Sequence, residues 1–362
     1  MAAVTDYIET TDEEARRKRL EKFYQKLNSS AGMLGVFGLG FIVPLVKLAL
    51  GDNPRENLRE LWQKLFVPLI GITLFVAAWA YYAPQVKTSL GAIPGPAQVL
   101  EQAGNLYDDH VAERTRQAAF YERQDSRNDE LIAAGKEDLV KTRSYTGAPT
   151  FFDQILTSLL TVGIGFFVGV AIAIPLGIMS GLSPTVNGAL NPLIQIFKPV
   201  SPLAWLPIVT MIVSATYATP YEWMPKSMLI SAITVTLCSL WPTLINTALG
   251  VASIDKDLLN VGRVLQLPTS RTITKLVLPS SLPLIFTGMR LSLGVGWMVL
   301  IAAEMLAQNP GLGKFVWDEF QNGSSSSLAK IMVAVLTIGI IGFLLDRLIY
   351  ALQVAFTYSD KR

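Results

Sequence analysis

Long apolar runs separated by polar segments dominate the chain. Residues 155–197 contain no Asp, Glu, Lys or Arg, and neither do residues 227–254. Each run is longer than the roughly 20 residues that a helix needs to cross a bilayer. The pattern predicts an all-α membrane protein whose spans number six and cover residues 67–83, 155–178, 190–213, 227–249, 282–306 and 331–355.

The segment before these spans is polar at first and then briefly apolar. A capping-box spacing followed by apolar residues at helical intervals predicts an amphipathic helix over residues 12–28. This helix lies on the membrane surface or against a cytoplasmic partner, or it is a solvated tail, and the sequence does not separate these alternatives. Residues 33–50 are apolar but short and broken by Pro44, so we interpret them as non-spanning. The chain then divides into an N-terminal part, residues 1–60, and a transmembrane domain, residues 61–362.

Loop charges predict the orientation of the spans. Lys and Arg are enriched near the start of the chain, before residue 67, in the loop after residue 249 and at the end of the chain. Basic loops stay in the cytoplasm, and six spans with both termini in the cytoplasm place all four clusters there. A seventh span at residues 33–50 would move the first cluster outside. We therefore expect a multi-pass protein of the bacterial inner membrane.

Residues 105–148 form a charged insert between the first two spans. From Glu101 to Arg143 the chain has ten acidic and seven basic residues among Ala, Gln and Leu. This composition predicts one or two exposed helices, and the orientation of the spans places them outside the cytoplasm. A solvated surface is the favoured interpretation, and contact with a partner is the alternative.

Composition narrows the function classes. The 362 residues are 51% hydrophobic and only 16% charged, with a mean hydropathy of +0.40, whereas soluble domains have roughly 25% charged residues. A single Cys and a single His exclude a disulfide framework, a zinc site built from Cys and His, and Cys–His catalysis within this chain. The net charge of +2 is too small to indicate nucleic-acid binding.

A few ionisable residues lie in or near the spans, where they are costly and often functional. For a small anion, Lys198 and Arg290 would lower the electrostatic barrier, unless each reaches the interface or pairs with a neighbour. Glu304 would pair with a basic group or face an external protein. The candidate translocation path therefore consists of Lys198, Ser201, Trp205, Arg290 and Glu304.

The loop at residues 255–279 carries the strongest local pattern. Leu258, Val261 and Leu265 recur at near-helical spacing, a turn with capping residues follows, and a second short helix ends at Pro279. Such a helix–turn–helix on the cytoplasmic side has apolar side chains that need contacts. They either bind a partner or pack against the chain's own bundle, and the residues alone favour neither.

This loop resembles the cytoplasmic loop of ABC importer permeases, whose pattern is Glu-Ala-Ala, three residues, Gly, nine residues, then a hydrophobe, any residue, Leu and Pro. Leu278 and Pro279 match the end of the pattern, whereas Asn260 stands in place of the Glu and Gln266 in place of the Gly. Further runs are similar to the nitrate/sulfonate/taurine branch, and most similar to its nitrate, cyanate and bicarbonate members. They include Gly91-Ala-Ile-Pro-Gly-Pro96, Ser201-Pro-Leu-Ala-Trp-Leu-Pro207 and Gly311-Leu-Gly313.

The resemblance implies a type I ABC importer transmembrane domain with six spans and an N-terminal extension. In this family two permease subunits enclose a path, each docks a coupling helix into a cytoplasmic ATPase subunit, and an external solute-binding protein delivers the substrate. Residues 255–265 would form the coupling helix, with Gly262 permitting close approach. The implied ATPase contacts are Asp255, Leu258, Asn260, Val261, Gly262, Leu265, Gln266, Leu278 and Pro279.

The chain has no Gly-x-x-x-x-Gly-Lys-[Ser/Thr] motif. We therefore expect no cofactor in this chain and no enzyme activity, with ATP and Mg²⁺ on the partner ATPase. The expected function is import of a small anion by a homodimer, with nitrate first, cyanate or bicarbonate next, and taurine and other sulfonates behind. The alternative class, a stand-alone secondary transporter or channel, predicts internal repeats or several intramembrane acids. The sequence shows no clear repeat, and Glu304 and Asp346 are the only acidic residues well inside the late spans.

Overall fold

The computed structural model describes residues 34–35, 38–51, 53–88, 91–219, 221, 223–324 and 326–358. The amphipathic helix predicted for residues 12–28 lies outside these ranges. The chain divides into two compact units, Met1–Ala78 with Arg347–Arg362, and Trp79–Asp346. The described residues are mostly helical, which confirms the predicted all-α class.

The described residues at the start of the chain form short helices that lead into a long one. α1 (Ile42–Ala49) and α2 (Pro54–Leu61) have eight residues each, and a π-helical turn at Trp62–Phe66 joins α2 to α3 (Val67–Tyr82). Eight residues extend for about 12 Å, against roughly 30 Å of hydrocarbon in a bilayer. α1 is therefore too short to span, whereas the continuous helix Pro54–Gln85 is long enough.

The second unit contains a small hairpin and most of the helices; the last helix ends in residues of the first unit. The elements in chain order are β1 (Lys87–Thr88), paired antiparallel with β2 (Gly91–Ala92), then α4 (Pro96–Ala133), α5 (Phe151–Leu182), α6 (Pro184–Phe197), α7 (Pro202–Thr216), α8 (Lys226–Ala252), α9 (Lys256–Val264), α10 (Thr269–Thr272), α11 (Leu278–Ala307), α12 (Leu312–Asn322) and α13 (Ser327–Tyr358).

Glycines determine how α5 packs against α8. A Cβ atom on Gly165 would lie 2.7 Å from the carbonyl oxygen of Ala232, and one on Gly177 would lie 2.8 Å from that of Leu244. Glycine allows the two backbones to approach this closely because it has no side chain. Residue numbers rise together along both helices, so α5 and α8 run parallel.

The neighbouring packed pairs run antiparallel. Gly296 of α11 lies against Ser239 of α8, and Gly288 lies against Thr243, so the numbers rise on one helix as they fall on the other. α11 and α13 are antiparallel in the same way, as shown by the pairs Trp297–Ile338 and Arg290–Asp346. Since α5 and α8 are parallel, the chain between them must return across the bundle.

A bent pair of helices makes this return. α6 and α7 meet at an angle of 101°, so the region predicted to span at residues 190–213 consists of two helices with a sharp bend between them. Pro199 and Pro202 explain the break, because proline lacks a backbone N–H and because Ser201, directly before Pro202, adopts an extended conformation. Within the described ranges, five helices are long and apolar enough to span, and the bent pair gives a sixth.

Two π-helical turns allow prolines inside long helices. The N–H of Leu278 donates to the carbonyl oxygen of Ile273, five residues back, directly before Pro279. This wide turn relieves the clash between a proline ring and the carbonyl group four residues earlier. The prediction that a short helix ends at Pro279 is therefore wrong, since the helix continues over Thr269–Ala307. A second π turn precedes Pro68 in the same way.

The insert is one long helix with a returning segment. α4 has 38 residues, about 57 Å at 1.5 Å per residue. A short turn at Glu137–Leu139 follows, and extended residues return along α4 until His110 Nδ1 meets the Thr150 hydroxyl at 2.7 Å. Arg114 of α4 also pairs with Asp153 at the start of α5. Of the one or two helices predicted here, the structure has one.

The insert and the loop after α8 connect to opposite ends of the bundle. Phe151, at the start of α5, has its ring 4.9 Å from that of Phe315 in α12. Near the other end of α5, Gly181 lies against Val251, just before the loop at residues 255–279. This separation is what the predicted orientation requires, and the assignment of the cytoplasmic side stays a prediction from the loop charges.

Candidate functional site

The loop after α8 presents a short helix, α9. It begins where the Asp255 carboxylate accepts the N–H of Asp257 at 2.9 Å, which satisfies one of the unpaired donors of a helix start. Arg263, in the last turn, lies at the negative end of the helix dipole. The helix predicted at residues 255–265 is confirmed as Lys256–Val264 with one capping residue on each side.

Gln266 ends this helix in a left-handed conformation, with a φ angle of 49°. The N–H of Gln266 donates to the carbonyl oxygen of Arg263, and the N–H of Leu267 donates to that of Gly262, both at 3.0 Å. These two bonds form a Schellman motif, in which glycine is preferred at the left-handed position. The glycine of the ABC permease pattern thus corresponds to a backbone requirement that Gln266 meets with some strain.

The outer face of α9 is apolar and exposed. The side chains of Val261, Val264 and Leu265 are 51%, 81% and 64% exposed. A contiguous exposed apolar group on a folded helix indicates a docking surface. The predicted contacts include Val261 and Leu265 but miss Val264, although its distance of three residues from Val261 would have placed it on the same face.

The inner face of α9 packs on the chain itself. Gly262 is buried, and a Cβ atom there would lie 2.9 Å from Leu276 Cδ1. The close approach that Gly262 allows is therefore with Leu276, which corrects the expectation that it faces an ATPase. Leu259 and Leu278 also pack inward, against the core cluster of Ile178, Val251 and Val277.

A cavity of about 500 Å³ lies beside the break between α6 and α7. One wall is a polar stripe on α6, and the other is an apolar surface of α8. The stripe consists of Asn187, Asn191, Gln195 and Lys198, which recur at three- and four-residue intervals on one helix face. Among the described lining residues, Lys198 alone carries a formal charge.

An aromatic group packs across the same break. The ring centroid of Phe197 lies 5.7 Å from that of Trp205 and 6.3 Å from that of Trp241. The indole nitrogens of both tryptophans are buried and have no hydrogen-bond partner in the described part of the chain. A buried donor without an acceptor is costly. Ser201 caps α7 by accepting the N–H of Leu203 at 3.3 Å.

Arg290 of α11 is paired and is not among the residues that line this cavity. Its Nε and Nη2 atoms lie 3.0 and 2.9 Å from the two carboxylate oxygens of Asp346. A bidentate pair of this kind balances the charge of both groups. The structure thus shows the pairing alternative for Arg290, with an α13 residue as the partner.

Glu304 is fully buried among uncharged donors. Its carboxylate accepts hydrogen bonds from the Ser158 hydroxyl at 2.8 Å, the Gly313 N–H at 3.0 Å and the Asn309 amide at 3.4 Å. In the ranges that the structure describes, it forms no ion pair with a basic side chain. The expectation that Glu304 pairs with a basic group or faces an external protein is therefore wrong. It lies instead at the positive end of α12, which stabilises a carboxylate.

Comparison with known proteins identifies the family. The family model described as "Binding-protein-dependent transport system inner membrane component" matches residues 173–357. The chain belongs to this family. The bicarbonate transport system permease protein of Synechococcus elongatus is 34% identical over 307 residues, which are 84% of this chain and 94% of the relative. The resemblance to ABC importer permeases is confirmed.

Two further relatives of this inner membrane component belong to the expected branch. The nitrate import permease protein of Leptolyngbya laminosa is 37% identical over 59% of this chain and 72% of the relative. The taurine transport system permease protein of Escherichia coli is 32% identical over 56% and 69%. An inward-facing structure of the MetNI methionine ABC transporter covers 57% of this chain and 96% of that chain, at 13% identity and a TM-score of 0.49, which is too distant to support an argument.

The residues predicted to act in this inner membrane component separate into distinct places. Lys198 and Ser201 flank the break between α6 and α7 and Trp205 follows it within α7, whereas Arg290 and Glu304 lie in separate polar contacts. Of the residues predicted to contact an ATPase, Gly262 is buried and Leu258 and Leu278 are half-buried. The exposed ones are Asp255, Asn260, Val261, Leu265, Gln266 and Pro279.

Proposed function

We propose that this chain is the permease subunit of an ABC importer that moves a small oxyanion into the cytoplasm, with nitrate as the first candidate. The relatives named for nitrate and bicarbonate transport support an anion of this size. They do not separate the two substrates, so bicarbonate is the second candidate. Cyanate and sulfonates such as taurine rank behind.

The exposed apolar face of α9 is the observation that carries this proposal. Val261, Val264 and Leu265 stand on a helix that is capped at both ends and backed by packing against the bundle. A rigid helix transmits a partner's movement to the bundle, because its inner face cannot shift independently of the helices it contacts. The proposed partner is a cytoplasmic ATPase that binds ATP and Mg²⁺, since this chain has no phosphate-binding loop.

The cavity beside α6 suits the passage of a monovalent oxyanion. Lys198 supplies one positive charge, and the side-chain amides of Asn187, Asn191 and Gln195 supply neutral donors. Transport requires binding that is favourable enough for entry and weak enough for release, and one cation among neutral donors meets both needs. The proposed assembly has two copies of this chain enclosing the path and an external solute-binding protein delivering the anion.

Uptake by proteoliposomes tests the proposed substrate. The chain is reconstituted with its ATPase and solute-binding partners, and uptake of isotopically labelled nitrate and bicarbonate is compared. We expect ATP-dependent nitrate uptake that unlabelled nitrate suppresses and taurine does not. Uptake of bicarbonate and not of nitrate would identify bicarbonate as the substrate. Uptake that needs no ATPase would contradict an importer and favour a stand-alone transporter.

A charge on the outer face of α9 tests the ATPase contact. Val264→Asp leaves the inner packing untouched, so we expect normal membrane insertion, no co-purification with the ATPase and no transport. Val111→Asp changes another exposed valine, on α4, and should leave all three properties unchanged. Gly262→Asp is less informative because it also clashes with Leu276. Normal co-purification and transport by Val264→Asp would exclude the coupling role.

A further inference from the structure

The insert carries a basic cavity for which the proposed transport function has no use. It has a volume of about 400 Å³ and lies between the second half of α4 and the segment that returns along it. Four basic side chains line it, Arg123 and Arg127 from α4 and Lys141 and Arg143 from the returning segment. The described lining contains no carboxylate.

Two side chains of α4 hold the returning segment in register. The Gln124 side-chain oxygen accepts the N–H of Arg143 at 2.7 Å, and the Asn128 amide donates to the carbonyl oxygen of Lys141 at 3.3 Å. Gln124 and Asn128 are four residues apart on one helix face, and Lys141 and Arg143 are two apart on one side of an extended segment. The cavity is therefore built by specific contacts, and its basic side chains are brought together by the backbone.

Two cations of the insert that lie outside the cavity have acidic partners. Arg114 pairs with Asp153, and Arg116 pairs with Glu113 at 3.2 Å. Among the described residues, none of the lining cations forms an ion pair with a carboxylate. The insert has more acids than bases, so a shortage of carboxylates does not explain the unbalanced charge.

The charge of this cavity indicates the class of its ligand. The four lining cations are exposed, so water screens part of their mutual repulsion, and an anion between them would relieve the rest. A guanidinium group binds two oxygens of a phosphate or carboxylate group at once. A monovalent anion such as nitrate would balance only one of the charges of Arg123, Arg127, Lys141 and Arg143. A multiply charged oxyanion with several acceptor oxygens fits this lining better.

We propose that the cavity binds a phosphate-type dianion, carried either by a soluble phosphate compound or by the headgroup of an anionic lipid. A water molecule takes up about 30 Å³ in the liquid, so a cavity of about 400 Å³ holds the phosphate group together with an organic group attached to it. This site is independent of the substrate path, and transport measurements do not decide it.

Calorimetry on the full chain tests the site with inorganic phosphate as the probe. The chain is purified in neutral detergent and titrated at constant ionic strength, with nitrate as the monovalent comparison. We expect saturable phosphate binding that weakens by about tenfold for each cation replaced by Gln. The variant Arg127→Gln/Lys141→Gln is compared with Lys87→Gln/Lys136→Gln, which removes the same charge from exposed positions outside the cavity.

Equal phosphate affinity of these two double variants, or no saturable binding by the unchanged chain, would overturn the proposal. Arg123→Gln/Arg143→Gln provides a second cavity variant, so that the result does not depend on one variant that melts early. Repeating the titration in nanodiscs of phosphatidylcholine, with and without phosphatidic acid, identifies the source of the phosphate. Competition by phosphatidic acid assigns a lipid headgroup, and unchanged affinity assigns a soluble phosphate compound.

Discussion

The Ser158 hydroxyl lies 2.9 and 2.8 Å from the two carboxylate oxygens of Glu304, although 146 residues separate the two in the chain. The Ser158 oxygen also accepts the N–H of Leu312, the first residue of α12, at 2.9 Å. One hydroxyl therefore joins α5, α11 and α12. These bonds are strong because they lie where water does not compete.

Glu304→Gln should destabilise this junction. An amide has one acceptor oxygen, so its NH₂ group would face either the Gly313 N–H or the Asn309 amide and leave a buried donor unsatisfied. We expect a loss of about 1–3 kcal/mol in the free energy of unfolding, measured by thermal unfolding of the solubilised chain. Glu101→Gln, at an exposed carboxylate of α4, is the control and should melt like the unchanged chain. Equal melting of both variants would contradict the prediction.

Gly177→Ala should disrupt the contact between α5 and α8. The added methyl group would lie 2.6 Å from Thr247 Cβ and 2.8 Å from the carbonyl oxygen of Leu244. Overpacking of this kind costs about 1–3 kcal/mol. Gly163→Ala, on the same helix, meets no atom within 4 Å and should cause no loss. The comparison is made by unfolding in detergent, and a stable Gly177→Ala variant would show that the helices separate easily.

Gln266→Gly should strengthen the end of α9. The left-handed conformation costs a residue with a side chain about 1 kcal/mol relative to glycine. We expect slower hydrogen exchange of the Leu267 amide, which closes the Schellman motif. Gln102→Gly, inside α4, should instead destabilise its own helix and speed the hydrogen exchange of nearby amides there, since glycine within a helix costs about 1 kcal/mol. Faster exchange at Leu267 would show that Gln266 is not strained.

Arg290 and Asp346 should behave as a coupled pair. Arg290→Gln or Asp346→Asn removes one side of this bidentate pair, and we expect each to cost about 1–3 kcal/mol of stability. The double variant Arg290→Gln/Asp346→Asn should lose less than the sum of the two single losses in a double-mutant cycle. Melting of the four proteins gives the coupling energy. Purely additive losses would mean that the two charges act independently.

Lys198 should contribute its charge to transport and not to folding. Lys198→Gln is expected to lower nitrate uptake about tenfold, because one charge-assisted contact with the anion is lost. Lys198→Arg keeps the charge and should retain most of the uptake. Both variants should melt like the unchanged chain, as the side chain is exposed. Equal uptake by the Gln and Arg variants would show that the charge of Lys198 does not contribute to transport.

Local patterns predicted the features that depend on nearby residues. The span predicted at residues 227–249 corresponds to Lys226–Ala252, because lipid-facing and core-facing apolar side chains give the same hydropathy signal. The near-helical spacing of Leu258, Val261 and Leu265 is a local pattern and lies within or next to α9, whose bounds came from the family resemblance. The left-handed conformation of Gln266 was indicated only indirectly, because Gln266 stands where the family pattern has a glycine.

Distant contacts could not be predicted from the pattern. Nothing near Ser158 indicates that it binds a carboxylate in another helix, and Glu304 therefore looked available to an outside partner. The break at residues 198–201 was missed although a local signal for it was present. Hydropathy counts residues 190–213 as one apolar run, although the prolines within it already indicate a turn.

The parallel packing of α5 and α8 also imposes an order on biogenesis. α5 enters the membrane before α8, with the bent pair still to be synthesised between them. Until α8 arrives, the bare backbone at Gly165 and Gly177 faces lipid, which gains little from a surface without side chains. The surface of α5 at these glycines therefore fits only α8, and the core of the bundle is complete only after α8 has been inserted.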